Sequence, residues 1–340
     1  MTRHALSELA VGARLRTDFE IAEVLGGGKT SLVYRAHDRA LGREAVIKEY
    51  LPSGLAYRDR QQVNVLPDKR EPFREGLKRF FAEAQVMTRF AHAVLRGVWQ
   101  CFKENGTAYI VMPFYSGNTV RQKVHDNLHA KDLVELFSII FPLLEGVSVL
   151  HKERCLHLDI SPDNVLVREN GMPILLDFGA VSRFGSAGEG RPLIDLTPGF
   201  AAKEQYNAAD ELGAWTDIYA ISALAYYLVT GIIPGVAISR IVHDSLKPLT
   251  SHCTDAFPAS VLDVFDRGLA IDPSERFRDI TSFTLALQNA VQAVLAQSSN
   301  PAASGILSAD EAVLSMPPRI RNVMDASWTL RRQLGLRAGE

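Results

Sequence analysis

His157-Leu158-Asp159-Ile160-Ser161-Pro162-Asp163-Asn164-Val165-Leu166, followed shortly by Leu176-Asp177-Phe178-Gly179, is the stretch that decides the reading of this chain. It sets an acid (Asp159), an amide (Asn164) and a second acid (Asp177) in one order at close spacing. A carboxylate can accept a proton from a hydroxyl nucleophile. An amide oxygen and a second carboxylate can hold divalent ions over a polyphosphate. The expectation is chemistry on a metal-bound phosphate, with Asp159 taking the proton and Asn164 and Asp177 holding metal. Taken singly, Asp159 reads equally well as a loop-capping acid, and Asp177 as a turn acid before Gly179.

Upstream, Gly26-Gly27-Gly28 lies between two strand-like segments, Phe19 to Leu25 and Leu32 to Ala36. Bare glycine backbone can close on phosphates, although such a cluster alone is as readily a tight hairpin. Lys48 ends the apolar run Ala45-Val46-Ile47-Lys48. It reads either as a fixed cation for phosphate oxygens or as a snorkelling surface lysine. Glu83 sits in a helical pattern from Phe73 to Phe90, where Phe73, Leu77, Phe80, Phe81, Ala84 and Met87 recur at three and four. It suits an ion pair with Lys48. That Lys48, Glu83, Asp159, Asn164 and Asp177 fall in one order makes each functional reading support the others.

The first 120 residues read as β-rich, with further strands around Val98 to Lys103 and Ala108 to Pro113 joined by an Asn105-Gly106 hairpin signal. Residues 52–72, with Pro52, Gly54, Pro67 and Pro72, read as an inserted loop. After Gly117 the pattern turns helical. Leu133, Leu136, Phe137, Ile140, Leu144 and Val147 make one apolar face, and Ile218 to Val229 is apolar nearly all round, as in a central helix. Val261 to Ala270 and Ile280 to Leu295 are amphipathic. Gln297 to Gly305 has linker composition. A tail follows, with a possible capping box at Ser308 and Glu311 and one helical face through Ile320, Val323, Met324 and Trp328.

The chain has 340 residues, enough for two domains or one two-lobed unit, and 47% hydrophobic residues, enough for a sizeable core. Net charge is −2, which argues against a nucleic-acid binder driven by bulk charge. The three scattered cysteines form no CxxC pair, so neither a zinc site nor a disulfide framework is expected, and a reducing cytoplasm is. Met1 to Val11 has no apolar core of a secretory signal. No apolar run is read as approaching the roughly 20 residues that span a bilayer; the longest candidate, Ile218 to Ile233, reads as a core helix.

These motifs resemble those of a bacterial eukaryotic-type serine/threonine protein kinase, from about Leu15 to Leu295. Leu25-Gly26-Gly27-Gly28-Lys29-Thr30-Ser31-Leu32-Val33 resembles the nucleotide-binding loop LGxGxxGxV, with Ser31 for the third glycine. His157-Leu158-Asp159 is similar to HRD, and Asp177-Phe178-Gly179 matches DFG. Thr197 to Glu204 resembles the end of an activation segment, Asp217-Ile218-Tyr219 the start of the central helix, and Asp272 to Phe277 the DPxxR signature. The resemblance implies an α+β two-lobed fold: an extension over residues 1–14, a kinase domain over 15–296 (small lobe 15–115, helical lobe 116–296), and a linker and tail over 297–340.

It implies ATP as co-substrate and magnesium, or manganese, as metal, with a protein Ser or Thr as acceptor. It implies further that Lys48 and Glu83 place ATP, that Asn164 and Asp177 hold metal, and that Asp159 orients or deprotonates the acceptor hydroxyl. Val46 and Met112, the latter as gatekeeper, would border the adenine, with backbone from Pro113, Phe114 and Tyr115. The family's pairing of the DPxxR arginine with the segment-end glutamate implies a contact between Arg276 and Glu204. The chain as given implies no membrane partner; the oligomeric state stays open.

Four departures matter. Val46 replaces a small alanine beside the adenine. Leu158 replaces the arginine that receives a segment phosphate, so weak dependence on phosphorylation of Ser182 or Ser186 is expected. Ser161 replaces a lysine that steadies the transferred phosphate. Lys203 replaces the proline of APE. Two other readings compete with the active kinase: a nucleotide-binding pseudokinase scaffold, and a kinase-like enzyme for a small molecule. The long segment from Asp177 to Glu204 favours a protein acceptor.

Overall fold

Strands form in the first unit where β-branched and aromatic residues cluster between turn residues. In the computed structural model, residues 8–90, 92–177, 182–183 and 196–298 are described. The chain divides between Ser116 and Gly117 into two units, taken in turn below.

The first unit is built on β1 (Arg14–Leu15), β2 (Phe19–Gly27), β3 (Ser31–Asp38), β4 (Arg43–Tyr50), β5 (Ala56–Asp59), β6 (Gln62–Val65), β7 (Gln100–Glu104) and β8 (Thr107–Pro113). Six of these make one antiparallel sheet in the order β1-β2-β3-β4-β8-β7. Asn105 and Gly106 turn β7 into β8 with φ of 51° and 75°, the left-handed pair that an Asn-Gly hairpin needs. Helix α1 (Arg70–Met87) covers one sheet face, where Phe73, Phe80 and Ala84 pack with Val46, Tyr50, Ile110 and Met112. The other face buries Leu15, Phe19, Tyr34, Ile47 and Tyr109.

The inserted loop expected over residues 52–72 is not a loop. β5 and β6 form an antiparallel hairpin in which Arg58 faces Val63, and a short turn at Pro67–Lys69 leads into α1, which starts ahead of the expected Phe73. The physical reason is an inverted alternation. In β5 the aromatic Tyr57 faces solvent and the charged Arg58 is buried, so the apolar period-2 signal of a half-buried strand is missing.

The second unit begins with β9 (Gly117–Thr119) and α2 (Val120–His125), whose start is closed by a capping box between Thr119 and Gln122. Then come α3 (Leu133–Lys152), β10 (Cys155–Leu156), β11 (Val165–Arg168), β12 (Pro173–Leu175), β13 (Ser182–Arg183), α4 (Ala214–Thr230), α5 (Ala237–Val242), α6 (Ala259–Gly268) and α7 (Ile280–Ser298). α4 is buried along nearly its whole length and packs against α3, α6 and α7, as its all-round apolar sequence demands. α7 runs on to Ser298, past the expected start of the linker.

Among the described residues α3, not the Ile218–Ile233 stretch, is the helix long and apolar enough to cross a membrane: 20 residues, with a mean hydropathy of 2.0 over its most apolar 18. This corrects the expectation that no run reaches that length. Buried side chains make up 61% of its most apolar window, against β10, β12, α4 and α7, so core packing accounts for its composition. Phe178, Gly179, Ser186 and the tail from Ser308 lie outside the described residues, as does the side chain of Ser182.

Candidate active site

In the first unit, the glycine turn extends the β2–β3 ladder. Gly26 faces Val33 and Gly27 faces Leu32, and the Gly28 N–H donates to the Ser31 carbonyl at 2.9 Å. Gly26 holds φ 153°, which favours glycine, and a Cβ on Gly27 would lie 2.5 Å from Leu32 Cδ2, so a larger residue there would push the leucine side chain aside. A Cβ on Gly26 or Gly28 meets nothing within 4 Å, so the turn presents bare backbone on its open side. The turn is also tied down: the Lys29 and Thr30 carbonyls accept from the N–H groups of Ser53 (2.7 Å) and Leu51 (3.0 Å). Phosphate oxygens fit such a site, because no side chain blocks approach to the backbone.

Lys48 and Glu83 meet as their order suggests. Nζ lies 3.0 Å from Glu83 Oε1, with the side chains only 9% and 13% exposed. The strand places Lys48 on the α1 face together with Val46 and Tyr50, and α1 brings Glu83 to it. Lys48 is therefore a held cation and not a snorkelling one. Val46 stands directly across the ladder from Met112, and both are buried in the α1-side core with Phe114 against them. Tyr115 is half-buried and Leu25 is exposed at the mouth of the turn.

In the second unit, Asp159 is gripped on both oxygens. Thr197 Oγ1 donates to its Oδ1 at 2.7 Å, and Asn164 Nδ2 donates to its Oδ2 at 2.7 Å and to its carbonyl at 2.9 Å. The Asn164 nitrogen is thereby committed to Asp159, which leaves the amide oxygen as the end that suits a hard cation. Asp177 follows β12, and the Leu176 N–H donates to the Asn164 carbonyl at 2.8 Å, so the two metal candidates are neighbours by backbone pairing. Among the described residues no group of three or more acidic, His or Cys side chains is arranged to hold a metal ion. An ion held by Asn164 and Asp177 would complete its shell with phosphate oxygens and water, as magnesium does.

Beneath Asp159 lies a support that the sequence reading only partly found. Asp217 accepts from the N–H groups of His157 (2.9 Å) and Leu158 (2.8 Å) and from His151 Nε2 (2.8 Å). Burial works to raise the Asp217 carboxyl, but these bonds hold it below the usual carboxylate range. His157 is fully buried, and burial pushes its imidazole down to about 4 against the pull of Asp217 and Asp177. It is therefore neutral, and its Nδ1 accepts from the Asp159 N–H at 3.3 Å. Gln205 Nε2 donates to the Leu158 carbonyl at 2.8 Å, tying the segment end to the Asp159 loop. His151 and Gln205 were missed. Their only signals were a histidine closing an apolar helix and a glutamine beside Glu204.

The departures are built into the core. Leu158 has φ 67° and packs its side chain, 4% exposed, with Leu156 and Leu212. Ser161 is buried. The implied contact is present: Arg276 meets Glu204 in the interior, and Thr216 Oγ1 donates to the same carboxylate at 2.9 Å.

Comparison with known proteins agrees with this geometry. Residues 19–289 match the profile of the protein kinase domain. The chain is similar to the serine/threonine-protein kinase PrkC of Bacillus subtilis (strain 168), 25% identical over 84% of this chain and 42% of that protein. It is also similar to the serine/threonine-protein kinase Pkn1 of Myxococcus xanthus, 29% identical over 74% of this chain and 38% of that protein. It thus spans well under two thirds of these curated relatives. Among solved structures it resembles PpkA-294 in its apo form, with a TM-score of 0.71 and 34% identity over 83% of this chain and 99% of that one.

Proposed function

Since the chain belongs to the protein kinase family, we propose that it transfers the γ-phosphoryl group of ATP to a serine or threonine hydroxyl of a protein. The observation that carries this reading is the state of Asp159: one carboxylate, oriented on both oxygens, already accepting an alcohol O–H from Thr197 at 2.7 Å. A carboxylate oxygen carries two lone pairs and can accept more than one hydrogen bond. Asp159 orients that hydroxyl and takes its proton. Asn164, held by Asp159, and Asp177, held by its backbone, present oxygens to metal. Lys48, fixed by Glu83, offers its charge to phosphate oxygens. The glycine turn offers backbone. Magnesium-bound ATP supplies the phosphoryl group and neutralises charge that develops as it moves.

The finer reading is a bacterial signalling kinase with weak dependence on segment phosphorylation. Its support is Leu158, an apolar side chain packed with Leu156 and Leu212 where a phosphate-receiving cation would otherwise stand. Held cation and held acid leave the pseudokinase scaffold without support. We place the domain in the cytoplasm, where ATP is available; its three cysteines are free thiols, in keeping with a reducing compartment.

The test is γ-phosphate incorporation by purified protein with magnesium, read by mass spectrometry for sites. Asp159→Asn should lower the rate about 10²- to 10⁴-fold, the range for loss of a general base. Equal incorporation by wild type and Asp159→Asn refutes the proposal.

A further inference from the structure

The hairpin that replaces the expected loop is wedged into the first unit by a charge. Arg58 on β5 pairs with Glu49 on β4, and both side chains are fully buried. Arg58 Nη1 also donates to the Gln61 carbonyl at 2.7 Å, which closes the hairpin's own tip. The second oxygen of Glu49 accepts from Tyr34 Oη at 2.8 Å. Opposite Arg58 on the hairpin, Val63 enters the other layer, the apolar core that α1 makes with β4 and β8. The Val63 N–H donates to the Asn105 carbonyl at 2.7 Å, and a Cβ on Gly106 would lie 2.5 Å from the Val63 carbonyl oxygen. The hairpin therefore touches both faces of the sheet at the end of β4 and seals the β7–β8 turn.

What it holds is the strand end that carries Lys48. Three consecutive residues there do three jobs. Lys48 pairs with Glu83. Glu49 takes Arg58 from the hairpin. Tyr50 packs its ring against Phe73 and Phe80 of α1, with centroids 5.1 and 5.6 Å away, and a Cβ on Gly76 of α1 would collide with its hydroxyl at 1.9 Å. A shift of β4 along its axis disturbs all three contacts together. A buried pair is also discriminating, because misplacing one partner leaves an uncompensated charge in the interior.

We propose that the Ala56–Val65 hairpin is an intramolecular clamp on β4 and α1, and that Arg58 is a positioning residue for the Lys48–Glu83 pair, acting through Glu49. The strand end and the helix are both held by the chain's own hairpin. The activity side of this inference rests on the phosphotransfer reading above; the structural side does not.

The test is a double-mutant cycle on the full chain. Phosphate transfer to casein, the Michaelis constant for ATP and amide exchange in α1 are measured for wild type, Arg58→Ala, Arg58→Lys, Glu83→Gln and the Arg58→Ala/Glu83→Gln double variant. Arg58→Ala should lose about tenfold in kcat/KM for ATP, a coupling of the size carried by contacting residues, and α1 amides should exchange faster. Arg58→Lys should recover most of the loss. In the Glu83→Gln background, Arg58→Ala should cost less than about twofold, because the pair it positions is already gone. Should Arg58→Ala not fold, Val63→Ala takes its place in the same cycle, loosening the apolar seat with the charges still paired. Equal losses in both backgrounds mark general destabilisation and overturn the proposal. So does unchanged α1 exchange in the hairpin variants. If the wild type transfers no phosphate, the phosphotransfer reading fails alone, and the exchange measurements still decide the clamp.

Discussion

Arg276 grips both carboxylate oxygens of Glu204, at 2.8 and 3.2 Å, with both side chains sealed from solvent. Its remaining contacts go to the carbonyls of Ala270 (2.7 Å), Ile271 (2.9 Å) and Trp215 (3.1 Å), so all five guanidinium N–H donors are used. The pair joins the end of the segment that carries Thr197 to the start of α4 and to the turn after α6.

Breaking that pair should be a stability lesion first. Arg276→Ala strands a buried carboxylate, at a cost of about 3–5 kcal/mol. Thermal melting of the variant should fall by roughly 6 to 20 °C, at 2–4 °C per kcal/mol for a domain of this size. Arg276→Lys should rescue little, because an ammonium cannot reproduce the two-pronged geometry. A melting temperature within a degree of wild type would contradict this account.

Lys48→Met should separate function from folding. The side chain is nearly buried, so an apolar replacement of similar length keeps the packing, while the fixed charge is lost. Phosphate transfer should drop about 10²- to 10³-fold, the scale for one preorganised electrostatic group. The melting temperature should fall by less than in Arg276→Ala, because the Glu83 carboxylate that loses Lys48 keeps 13% of its side chain in solvent. A transfer rate near wild type would remove Lys48 from the machinery.

Segment phosphorylation should matter little. With Leu158 locked against Leu156 and Leu212, no cation at that position awaits a phosphate. The Ser182→Ala/Ser186→Ala double variant should keep its rate within about threefold, a barrier change of under roughly 0.7 kcal/mol. Complete inactivity of that variant refutes the expectation.

A half-buried carboxyl and a buried imidazole give the stability profile opposing slopes. Burial pushes the Glu145 carboxyl on α3 up to about 7 from its ordinary 4.5. The folded state therefore holds that proton longer, and the stability it contributes is full below 4.5 and lost as pH rises through 7. His157 runs the other way: its folded value of about 4 lies below the ordinary 6.5, so stability is full above 6.5 and lost as pH falls towards 4. Glu145→Gln should raise the melting temperature at pH 8 by about 2 °C or more, allowing for solvent screening of a partly exposed carboxyl, and leave it unchanged at pH 4.5. A gain of equal size at both values would show that the carboxyl's ionisation is not the cause.

How far the sequence carried the reading depended on whether side-chain polarity matched burial. β2, β3, β4, β7 and β8 and the helices α1, α3, α4, α6 and α7 announced themselves because apolar residues fell on the buried face at the right period. Lys48, Glu83, Asp159 and Asn164 were legible by order, and their contacts follow it. The β5–β6 hairpin was not legible, because its buried residue is Arg58 and its exposed one Tyr57. The support under Asp159 was legible only at Asp217, by its motif. Asp217 and Gln205 reach backbone N–H and carbonyl groups of the Asp159 loop, and His151 reaches the Asp217 carboxylate, contacts that leave no mark on side-chain patterning.

Leu158 invites one last consequence. Its backbone sits at φ 67°, a region that side chains branched at Cβ enter only under severe crowding. A saturation library at this codon should therefore sort by branching before it sorts by charge. Leucine, methionine, asparagine and glycine should survive selection for folded protein, while valine, isoleucine and threonine are depleted. The loop's handedness, set by two N–H groups hanging from Asp217, acts as a filter on which amino acids can be tried there at all.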